Sequence, residues 1–345
     1  MKKFNKELPD GFEKPIDLPE SEDQASDWQK KNILVTGAAG FVGSHLVERL
    51  LTDGYKITGI DNFDPFYDKS IKQKNISEAL KNSNYKFIEL DIRNYKGLFE
   101  KLKDEYDSIA HIAAKAGVRP SINEPIEYQE VNLYGTQNLL EFAKIKGIRQ
   151  FVFTSSSSVY GINKNVPWKE SDHVLLPISP YASSKVSAEL LGHVYSKIHN
   201  IRFIALRLFT VYGPRQRPDL AIHKFVKLAS DNKPIPFYGD GTTSRDYTYV
   251  DDIVNGLVKG LNYTASMYEI INLGNHHTVT LKDMVAIIEQ NMNKKINLER
   301  LPKQPGDVDN TYADITLAKK LLEWKPAVPL NEGIKKFVDW FIYNK

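Results

Sequence analysis

Tyr181 and Lys185 are the two residues whose types and spacing point most directly to chemistry. They stand four positions apart, a spacing that brings two side chains to the same face of a helix. A lysine ammonium beside a phenol favours the phenolate and lowers the tyrosine pKa from about 10 toward neutrality. The pair therefore predicts a general base for a substrate hydroxyl group. The same spacing also occurs by chance, so the prediction depends on the motifs around it.

A glycine-rich segment at residues 37–43, Gly-Ala-Ala-Gly-Phe-Val-Gly, lies between the apolar run 33–35 and a helical pattern at 41–51. At such a turn the first glycine permits the tight bend, the second lets the main chain approach a pyrophosphate, and the third lets helix and strand pack closely. The phosphates would then lie on unpaired N–H groups at the positive end of the helix. A glycine turn that binds nothing is the alternative.

The acid expected about 20 positions along a dinucleotide-binding unit is Asp61, which ends the predicted strand at 55–60. A carboxylate there accepts a hydrogen bond from a ribose 2′-hydroxyl and repels a 2′-phosphate, which favours NAD over NADP as the cofactor. The predicted cofactor contacts in these two segments are Gly37, Gly40, Phe41, Val42, Gly43 and Asp61.

A run of hydroxyl residues, Thr154 and the serines at 155–158, directly follows the buried-strand pattern at 150–153. Side chains at the carboxyl ends of parallel strands face the crevice where such folds bind ligands. A serine run alone is more often a loop or a linker, but this one lies between the glycine-rich segment and the Tyr181/Lys185 pair. We therefore expect one of these hydroxyls to belong to the site.

In this order, the three features resemble the extended short-chain dehydrogenase/reductase family, over roughly residues 31–343. The resemblance implies a catalytic set of hydroxyl, tyrosine and lysine, which falls on Ser156, Tyr181 and Lys185. Ser156 is chosen because the family's hydroxyl lies four residues before the tyrosine of a Val-Tyr-Gly segment, here Tyr160. The further cofactor contacts that the resemblance implies are Asn62, Asp91, Ile92, Ala113, Ala114, Lys115 and Asn132.

Composition limits the class of protein. The 345 residues, 41% of them hydrophobic, suffice for a large core. A net charge of +3, with basic residues dispersed among 43 acidic ones, gives no sign of nucleic-acid binding. No apolar run approaches the ~18 residues of a membrane span, and residues 1–29 carry no secretory signal pattern. The absence of cysteine excludes disulfides and thiolate metal sites. We expect a cytoplasmic enzyme without a metal.

Short apolar runs alternate with helix-length amphipathic segments, which predicts an α/β fold: a Rossmann-type doubly wound parallel sheet with a smaller α/β substrate-binding lobe. We expect an N-terminal extension at 1–30, an NAD-binding domain at 31–207 to which 246–276 return, and a substrate lobe made of 208–245 and 277–345. The predicted strands are 33–36, 56–60, 86–90, 108–112, 151–154 and 203–208.

Two residues of the predicted lobe, Arg245 and Asp307, match positions that members of the resembled family use around a nucleoside diphosphate, usually UDP. An arginine suits a pyrophosphate because its planar guanidinium donates two parallel hydrogen bonds. A solvent-facing arginine is the alternative. The resemblance therefore implies a UDP-sugar as the substrate.

The reaction depends on small differences around the catalytic set. Family members that dehydrate or decarboxylate their sugar carry an acid two positions before the Val-Tyr-Gly tyrosine, where this chain has Ser158. Its absence favours epimerisation: Tyr181 removes the proton of the C4 hydroxyl, and the resulting 4-keto sugar turns over and is reduced on its other face. Ser156 would bond the oxygen throughout, and Lys185 would hold the nicotinamide ribose.

The sugar is indicated by residues 213–219, Gly-Pro-Arg-Gln-Arg-Pro-Asp. They resemble the UDP-glucuronate 4-epimerase subgroup, as do residues 61–68 and 116–119, whereas epimerases of neutral sugars tend to have Asp-Pro-Asn after the glutamine. Arg217 would bind the C6 carboxylate and, by stabilising its charge and fixing its rotation, restrain loss of CO₂ from the 4-keto acid. An arginine facing solvent or a phosphate is the alternative. The remaining predicted substrate contacts are Arg119, Ser157, Ser158 and Thr210.

Three other functions stay open: an epimerase of UDP-glucose or UDP-N-acetylglucosamine, a UDP-glucuronate decarboxylase, and a non-catalytic NAD-binding sensor. Ser158 argues against the decarboxylase, and the intact catalytic set argues against the sensor. Family members also pair as homodimers through two long helices, here at 127–146 and 180–199, so we expect a homodimer. The apolar positions on the second helix include Leu190, Leu191 and Val194.

Overall fold

The computed structural model describes residues 31–172, 176–302 and 309–345. The predicted extension at 1–30 and the predicted substrate contact Asp307 lie outside the described residues. The strands are β1 Asn32–Thr36, β2 Lys56–Asp61, β3 Tyr85–Glu89, β4 Ser108–His111, β5 Gln150–Ser156, β6 Arg202–Leu208, β7 Thr210–Tyr212, β8 Ile235–Tyr238, β9 Ser244–Tyr249, β10 Tyr268–Leu273, β11 Thr278–Thr280 and β12 Leu298–Leu301. The helices are α1 Phe41–Thr52, α2 Lys69–Ile76, α3 Tyr95–Lys101, α4 Val118–Asn123, α5 Pro125–Gln129, α6 Gly135–Lys146, α7 Pro180–His199, α8 Ala221–Ser230, α9 Val250–Asn262, α10 Leu281–Met292, α11 Thr316–Leu322 and α12 Leu330–Tyr343.

Across the described ranges, seven parallel strands form one sheet in the order β10-β6-β5-β4-β1-β2-β3. The chain begins in the middle at β1, winds outward to β3, returns at β4 and winds the other way to β6. This arrangement confirms the predicted doubly wound, Rossmann-type sheet. The winding reverses between β1 and β4, and in such folds ligands bind outside the carboxyl ends of the strands at that reversal.

The two faces of the sheet carry separate cores because successive strand residues point to opposite sides. Leu34 of β1 packs in the core that includes residues of α6 and α7, whereas its neighbour Val35 packs with α1 and α9. Burial of a side chain of this size contributes about 1.5–3 kcal/mol. Both faces are covered by helices, which is why the strands are almost continuously apolar in the sequence.

One strand is longer than expected, and the difference affects the site. The predicted strand at 151–154 is β5, which extends through Ser156 because its last three residues pair with Leu206, Arg207 and Leu208 of β6. The serine run was expected to follow this strand, but it begins inside it. A 3₁₀ turn at Ser157–Tyr160 comes next.

The predicted helix at 127–146 is interrupted. Helix α5 ends at Gln129, a π turn spans Glu130–Tyr134, and α6 begins at Gly135. Such π turns are frequent at functional sites because the extra residue redirects neighbouring side chains. The predicted helix at 180–199 is α7, with the same bounds.

Two smaller sheets lie beyond β6 within the described part of the chain. One has the order β11-β9-β7 and the other pairs β12 with β8. Strand β10 lies beside β6 in the main sheet. The predicted division into an NAD-binding domain and a substrate lobe stays a prediction, and its boundary at residues 245 and 246 falls inside β9.

Candidate active site

A cleft of about 360 Å³ opens at the carboxyl ends of β1, β2, β4 and β5. It brings together the glycine turn before α1, the end of β5, the first turns of α7 and the segment that follows β7. The predicted site residues that line it are Gly37, Gly40, Phe41, Val42, Gly43, Asp61, Asn62, Asp91, Ile92, Ala113, Ala114, Lys115, Ser156, Tyr181, Lys185, Thr210 and Arg217.

The glycine turn keeps side chains out of this part of the cleft. Gly37 has a left-handed φ of 69°, and a Cβ there would approach the Ala113 nitrogen to 2.7 Å. A Cβ on Gly43 would overlap the carbonyl oxygen of Gly37, so α1 can pack here only without a side chain. A Cβ on Gly40 would have a single close neighbour, that same oxygen at 3.2 Å. The first N–H groups of α1 have no acceptor within the helix, and this bare cradle fits the phosphates of a dinucleotide.

Asp61, at the end of β2, is buried and oriented by the main chain. Its carboxylate accepts hydrogen bonds from the N–H groups of Ala39 at 3.2 Å and Phe63 at 2.8 Å. Burial raises the pKa of Asp61, while the charge of Lys72 opposes that rise. A carboxylate offers about four lone-pair sites, so Asp61 retains acceptors for the two hydroxyls of a ribose.

Asn62 and Asp91 meet across β2 and β3. The Asn62 amide donates to Asp91 at 2.8 Å, and Arg93 donates to the same carboxylate at 2.8 Å. Burial acts to raise the pKa of Asp91, but the hydrogen bonds from Arg93 and Asn62 hold it below its usual value. Asn62 and Asp91 border the cleft beside Ile92 and can contact the adenosine part of a dinucleotide.

Asn132 does not line the cleft. It lies on the π turn, and its side-chain oxygen accepts from the Lys115 N–H at 2.8 Å while its amide donates to the Lys115 carbonyl at 2.9 Å. The amide also donates to the Ser184 hydroxyl at 3.0 Å. Asn132 therefore fixes the main chain that follows β4 and ties it to α7, rather than facing a ligand.

The three predicted catalytic residues come together between β5 and α7. Ser156 ends β5, and Tyr181 and Lys185 lie on consecutive turns of α7, whose N-cap Ser179 accepts from the Ala182 N–H at 3.1 Å. The Ser156 hydroxyl lies close enough to the Tyr181 phenol to act on its pKa. The Lys185 ammonium lies 6.0 Å from the centre of the Tyr181 ring. The set can hold a substrate hydroxyl between a phenol and a serine.

The expected lowering of the Tyr181 pKa is wrong for the chain by itself. Burial raises the pKa of Tyr181, and the Ser156 hydroxyl and the charge of Arg217 only partly oppose that rise. The Lys185 ammonium instead donates to the Thr154 carbonyl at 2.7 Å. The spacing placed both residues correctly on one helix face, but burial depends on packing that spacing does not describe.

Lys185 is itself strongly affected by burial. Burial lowers its pKa to about 7, and the carboxylate of Glu189, one turn further along α7, acts to raise it. Glu189 is buried and pairs with Arg207 of β6 at 2.8 Å. It also accepts a hydrogen bond from Ser155, the residue before Ser156. The buried carboxylate thus links α7 to the ends of β5 and β6 directly behind the catalytic set.

Arg217 reaches the cleft from the segment after β7. Its guanidinium donates to both oxygens of Asp219, at 3.0 and 2.8 Å, and lies 5.1 Å from the centre of the Phe66 ring. Its charge acts on the pKa of Tyr181 and of Tyr67. Arg217 therefore lies within electrostatic range of the catalytic phenol, in a pocket made by an acid and an aromatic ring.

Sequence reasoning missed several residues of this part of the site. Phe66, Tyr67 and Lys72 line the cleft, and Asp219 holds the arginine that does. The signal for Phe66 and Tyr67 was present, because they lie in the segment 61–68 that resembles the UDP-glucuronate subgroup. Lys72, on α2, donates to a loop carbonyl at 2.9 Å and carries no sequence signal of its own.

Four further predicted substrate contacts do not line the cleft, namely Arg119, Ser157, Ser158 and Arg245. Ser158 donates to the Ser156 hydroxyl at 3.0 Å, so it acts on the catalytic set through its neighbour. Arg245 donates to the Ser244 carbonyl at 2.9 Å. Arg119 lies on α4 and is exposed. Asp307 lies outside the described residues.

The described part of the chain shows neither a metal-binding cluster nor a helix that could span a membrane. In residues 31–172, 176–302 and 309–345, no group of three or more histidine or acidic side chains is arranged to hold a metal ion. In the same ranges, no helix combines the length and the apolar character needed to cross a bilayer.

Comparison with known proteins shows similarity along nearly the whole chain. The family model for GDP-mannose 4,6-dehydratase matches residues 34–337. An uncharacterised protein of Methanocaldococcus jannaschii is 47% identical over 320 residues, which are 91% of this chain and 97% of that protein. A UDP-glucuronate 4-epimerase of Thermodesulfobacterium geofontis is 41% identical over 310 residues, which are 89% of this chain and 95% of that protein. The fold is also similar to the crystal structure of a UDP-glucuronic acid 4-epimerase from Bacillus cereus in complex with UDP-glucuronic acid and NAD. The TM-score is 0.85, the sequences are 38% identical, and the match covers 91% of this chain and 100% of that one.

Proposed function

The chain belongs to the extended short-chain dehydrogenase/reductase family of nucleotide-sugar enzymes, and we propose that it epimerises UDP-glucuronate at C4 to UDP-galacturonate. It is an NAD-dependent UDP-sugar 4-epimerase; the identity of the sugar is the finer part of the proposal. The observation that carries this part is the position of Arg217, which lines the same cleft as Ser156, Tyr181 and Lys185. A cation beside the catalytic set suits a sugar whose C6 is a carboxylate.

In the proposed reaction Tyr181 takes the proton of the C4 hydroxyl, the 4-keto sugar turns over, and Tyr181 returns the proton to the same oxygen while the hydride is added to the other face of C4. Ser156 would bond the same oxygen throughout, as its hydroxyl acts on the pKa of the neighbouring Tyr181. The raised pKa of Tyr181 keeps the phenol protonated until the Lys185 ammonium approaches it more closely. The glycine turn and Asp61 would hold NAD, which would supply the acceptor and the donor of the C4 hydride. Lys185, on the same helix face as Tyr181, would then move its ammonium from the Thr154 carbonyl toward the nicotinamide ribose.

Arg217 has a second role in this proposal, because a glucuronate oxidised at C4 is a β-keto acid that loses CO₂ readily. Loss of CO₂ disperses the carboxylate charge into the ring, and a guanidinium that binds the carboxylate opposes this dispersal. The same contact holds the carboxylate in one place relative to the ring, which restrains the change of ring conformation that would bring the C5–C6 bond into line with the carbonyl π system. Asp219 and Phe66 hold the guanidinium in place. An immobilised arginine can impose this restraint, whereas a mobile one cannot.

The remaining predicted contacts complete the proposal. We propose that Thr210 contacts the sugar, as it lines the cleft, and that Ser157 and Ser158 support Ser156. Arg245 would bind the UDP pyrophosphate after leaving the Ser244 carbonyl that now accepts from it. Asp307 and Arg119 keep their predicted roles toward UDP and the sugar. In the proposed domain division, Arg119, Ser157 and Ser158 belong to the NAD-binding domain, and the other contacts belong to the substrate lobe.

A 4-epimerase of neutral UDP-hexoses is the second candidate, and one observation favours it. Both oxygens of Asp219 already accept from Arg217, so the charge of the arginine is compensated without a substrate carboxylate. A guanidinium carries five donor hydrogens, and the pair with Asp219 uses two of them. The remaining three can still bind a C6 carboxylate, which is why UDP-glucuronate stays the first candidate.

One experiment separates the candidates. The purified protein is incubated separately with UDP-glucuronate, UDP-glucose and UDP-N-acetylglucosamine, and the products are identified by NMR. We expect UDP-galacturonate from the first sugar, with turnover of the two neutral sugars at least tenfold slower. Preferred turnover of a neutral sugar would transfer the assignment to the second candidate. A UDP-pentose as main product would indicate the decarboxylase, and no product from any sugar would indicate the sensor.

We also propose that the protein is a homodimer that pairs through α6 and α7. Leu190 and Val194 are exposed on α7, and Ile145 is exposed on α6, while Leu191 packs partly against the core. Exposed apolar side chains along neighbouring helices are typical of an interface. A monomeric mass by sedimentation at micromolar concentration would contradict the pairing. We likewise propose a cytoplasmic location, which the sequence analysis led us to expect.

A further inference from the structure

The segment that carries Arg217 is bound to the glycine-turn helix α1. The Pro214 carbonyl lies 2.9 Å from the His45 Nε2. Arg215 forms an ion pair of 2.7 Å with Glu48 and donates to the Ser44 hydroxyl at 3.3 Å. His45, Glu48 and Ser44 all lie on the second and third turns of α1. Two successive residues of the segment are therefore fastened to one helix.

These contacts hold the main chain of the segment in a conformation that is otherwise unfavourable. Arg215 has a φ of 63°, in the left-handed region that non-glycine residues seldom adopt, and it follows Gly213 with a φ of 143°. A non-glycine residue persists there when its surroundings hold it, and such residues cluster at functional sites. For Arg215 the holding contacts are those of its own side chain with α1.

The other side of the segment is fixed by Gln216. This residue is buried, its amide donates to the Val211 carbonyl at 3.0 Å, and its side-chain oxygen accepts from the His223 N–H at 3.2 Å. The Leu220 N–H donates to the Arg217 carbonyl at 3.1 Å and closes the turn. Arg215 faces α1, Gln216 faces the start of α8, and Arg217 faces the cleft.

The same helix also borders the predicted dinucleotide site, because Phe41, Val42 and Gly43 of its first turn line the cleft. We propose that Arg215 is a positioning residue that determines sugar selectivity: through Glu48 and Ser44 it sets the place of Arg217 relative to the dinucleotide-binding end of α1. This inference rests on the proposed function, in which Arg217 binds the C6 carboxylate. One rigid helix then fixes the distance between the cofactor and that carboxylate.

The test uses the holoenzyme with NAD bound and the variant Arg215→Met, which keeps the length of the side chain and removes its charge. Equilibrium binding of UDP-glucuronate and of UDP-glucose is measured by competition with a labelled UDP ligand. We expect the Kd for UDP-glucuronate to rise about tenfold, part of the effect of losing a hydrogen bond to a charged group, and that for UDP-glucose to change less than about twofold. Arg215→Lys can still pair with Glu48, and it should recover most of the selectivity.

Asp53→Asn is the matched control. It breaks the exposed ion pair between Arg49 of the same helix and Asp53, which caps the C-terminal end of that helix, away from the segment that carries Arg217. Its binding ratio between the two sugars should equal that of the wild type. Thermal unfolding and bound NAD are recorded for every variant. A purely structural role for Arg215 would weaken both sugars alike, and that result overturns the proposal.

The binding ratio separates this proposal from the proposed function. If the wild type turns over neutral sugars and not UDP-glucuronate, the proposed function fails, while a wild-type binding preference for UDP-glucuronate that Arg215→Met abolishes still supports the positioning role. If the wild type binds both sugars equally, or if Arg215→Met keeps the wild-type ratio, the positioning role is wrong. With UDP-glucuronate as substrate, a further supporting result is that Arg215→Met releases more CO₂ per turnover than the wild type.

Discussion

Two parts of the cleft wall use different means to hold a ligand. At the glycine turn, Gly37, Gly40 and Gly43 exclude side chains, so the main chain itself faces the ligand. In the segment after β7, Arg217 presents a charged side chain that Asp219 holds in place. The first part depends on what the backbone can sterically adopt, and the second depends on pairing between side chains. Changes in the first should therefore disturb folding and cofactor together, whereas changes in the second should alter the choice of sugar.

The largest effect is expected at Tyr181, which lines the cleft between these two parts. Tyr181→Phe should lower kcat by at least about 10²-fold, the usual scale for a positioned acid or base, because Tyr181 is the group that takes the C4 proton in the proposed reaction. Bound NAD should remain, since the glycine turn is untouched. Steady-state rates and the NAD released on denaturation check both expectations. Tyr95→Phe, at an exposed tyrosine of α3, is the control, and near-normal turnover of Tyr181→Phe would remove this residue from the mechanism.

Arg217→Ala tests the side-chain part of the wall. It should reduce kcat/KM for UDP-glucuronate by ~1.5–3 kcal/mol, or about 10- to 150-fold, the range for a hydrogen bond to a charged group, and should spare neutral UDP-hexoses. Some 4-keto intermediate should be lost as CO₂ and a UDP-pentose-4-ulose, which mass spectrometry detects. Arg49→Ala, which removes an exposed arginine paired with Asp53, is the control. An equal loss toward charged and neutral sugars, without extra CO₂, would make Arg217 a phosphate or structural residue.

Gly43→Ala and Gly40→Ala test the main-chain part of the wall. A Cβ on Gly43 overlaps the Gly37 carbonyl, so this variant should lose about 1–3 kcal/mol of unfolding free energy, as overpacked positions do, and lose NAD as well. A Cβ on Gly40 meets one oxygen at 3.2 Å. That variant should lose less than about 1 kcal/mol of stability and still bind NAD more weakly. Urea unfolding and NAD titration check the pair, and unchanged NAD affinity in Gly40→Ala would show that the phosphates do not rest there.

The contrast between local sterics and pairing with distant residues also explains which parts of the fold can be predicted from the sequence. The sheet and the glycine turn were predictable because short apolar runs and glycine sterics are local properties of the sequence. The length of β5 was not, since Ser155 and Ser156 join the strand only through pairing with β6. The π turn at Glu130–Tyr134 has no local signature either. Elements were found from patterns within a segment, and their exact ends were set by distant neighbours.

At the site, residue types and spacing identified candidates, but not their electrostatics. Tyr181 and Lys185 do share a helix face, yet burial raises the pKa of the first and lowers that of the second to about 7. The pairing of Arg217 with Asp219 was also missed, although the two lie only two positions apart. Arg245 was predicted to contact a nucleoside diphosphate; it does not line the cleft, and that contact stays a prediction. Burial and choice of partner depend on the whole fold, which a motif cannot describe.

The smallest expected effect concerns His45, the histidine of α1 that joins the two parts of the wall. Burial lowers its pKa to about 4, the charge of Arg215 lowers it too, and the hydrogen bond with the Pro214 carbonyl opposes both. The neutral ring must carry its hydrogen on Nε2, because Pro214 offers only an acceptor. In the unfolded chain a histidine has a pKa of about 6.5. Between about pH 6.5 and about pH 4 the unfolded state binds more protons than the folded state. The contribution of His45 to the free energy of unfolding is therefore fully present above about pH 6.5, and it is lost progressively as the pH falls through this window.

His45→Gln removes this titration and keeps an N–H donor for the Pro214 carbonyl. Between about pH 6.5 and 5 the wild type should lose about 1–2 kcal/mol more unfolding free energy than the variant, measured by urea unfolding at each pH. His277→Gln, at an exposed histidine, controls for the replacement of a histidine elsewhere in the chain. Because the imidazole supports the Arg217 segment and contacts no substrate, selectivity at neutral pH should stay within about twofold of the wild type. A pH slope in His45→Gln that equals the wild-type slope would mean that the acid sensitivity arises from other groups.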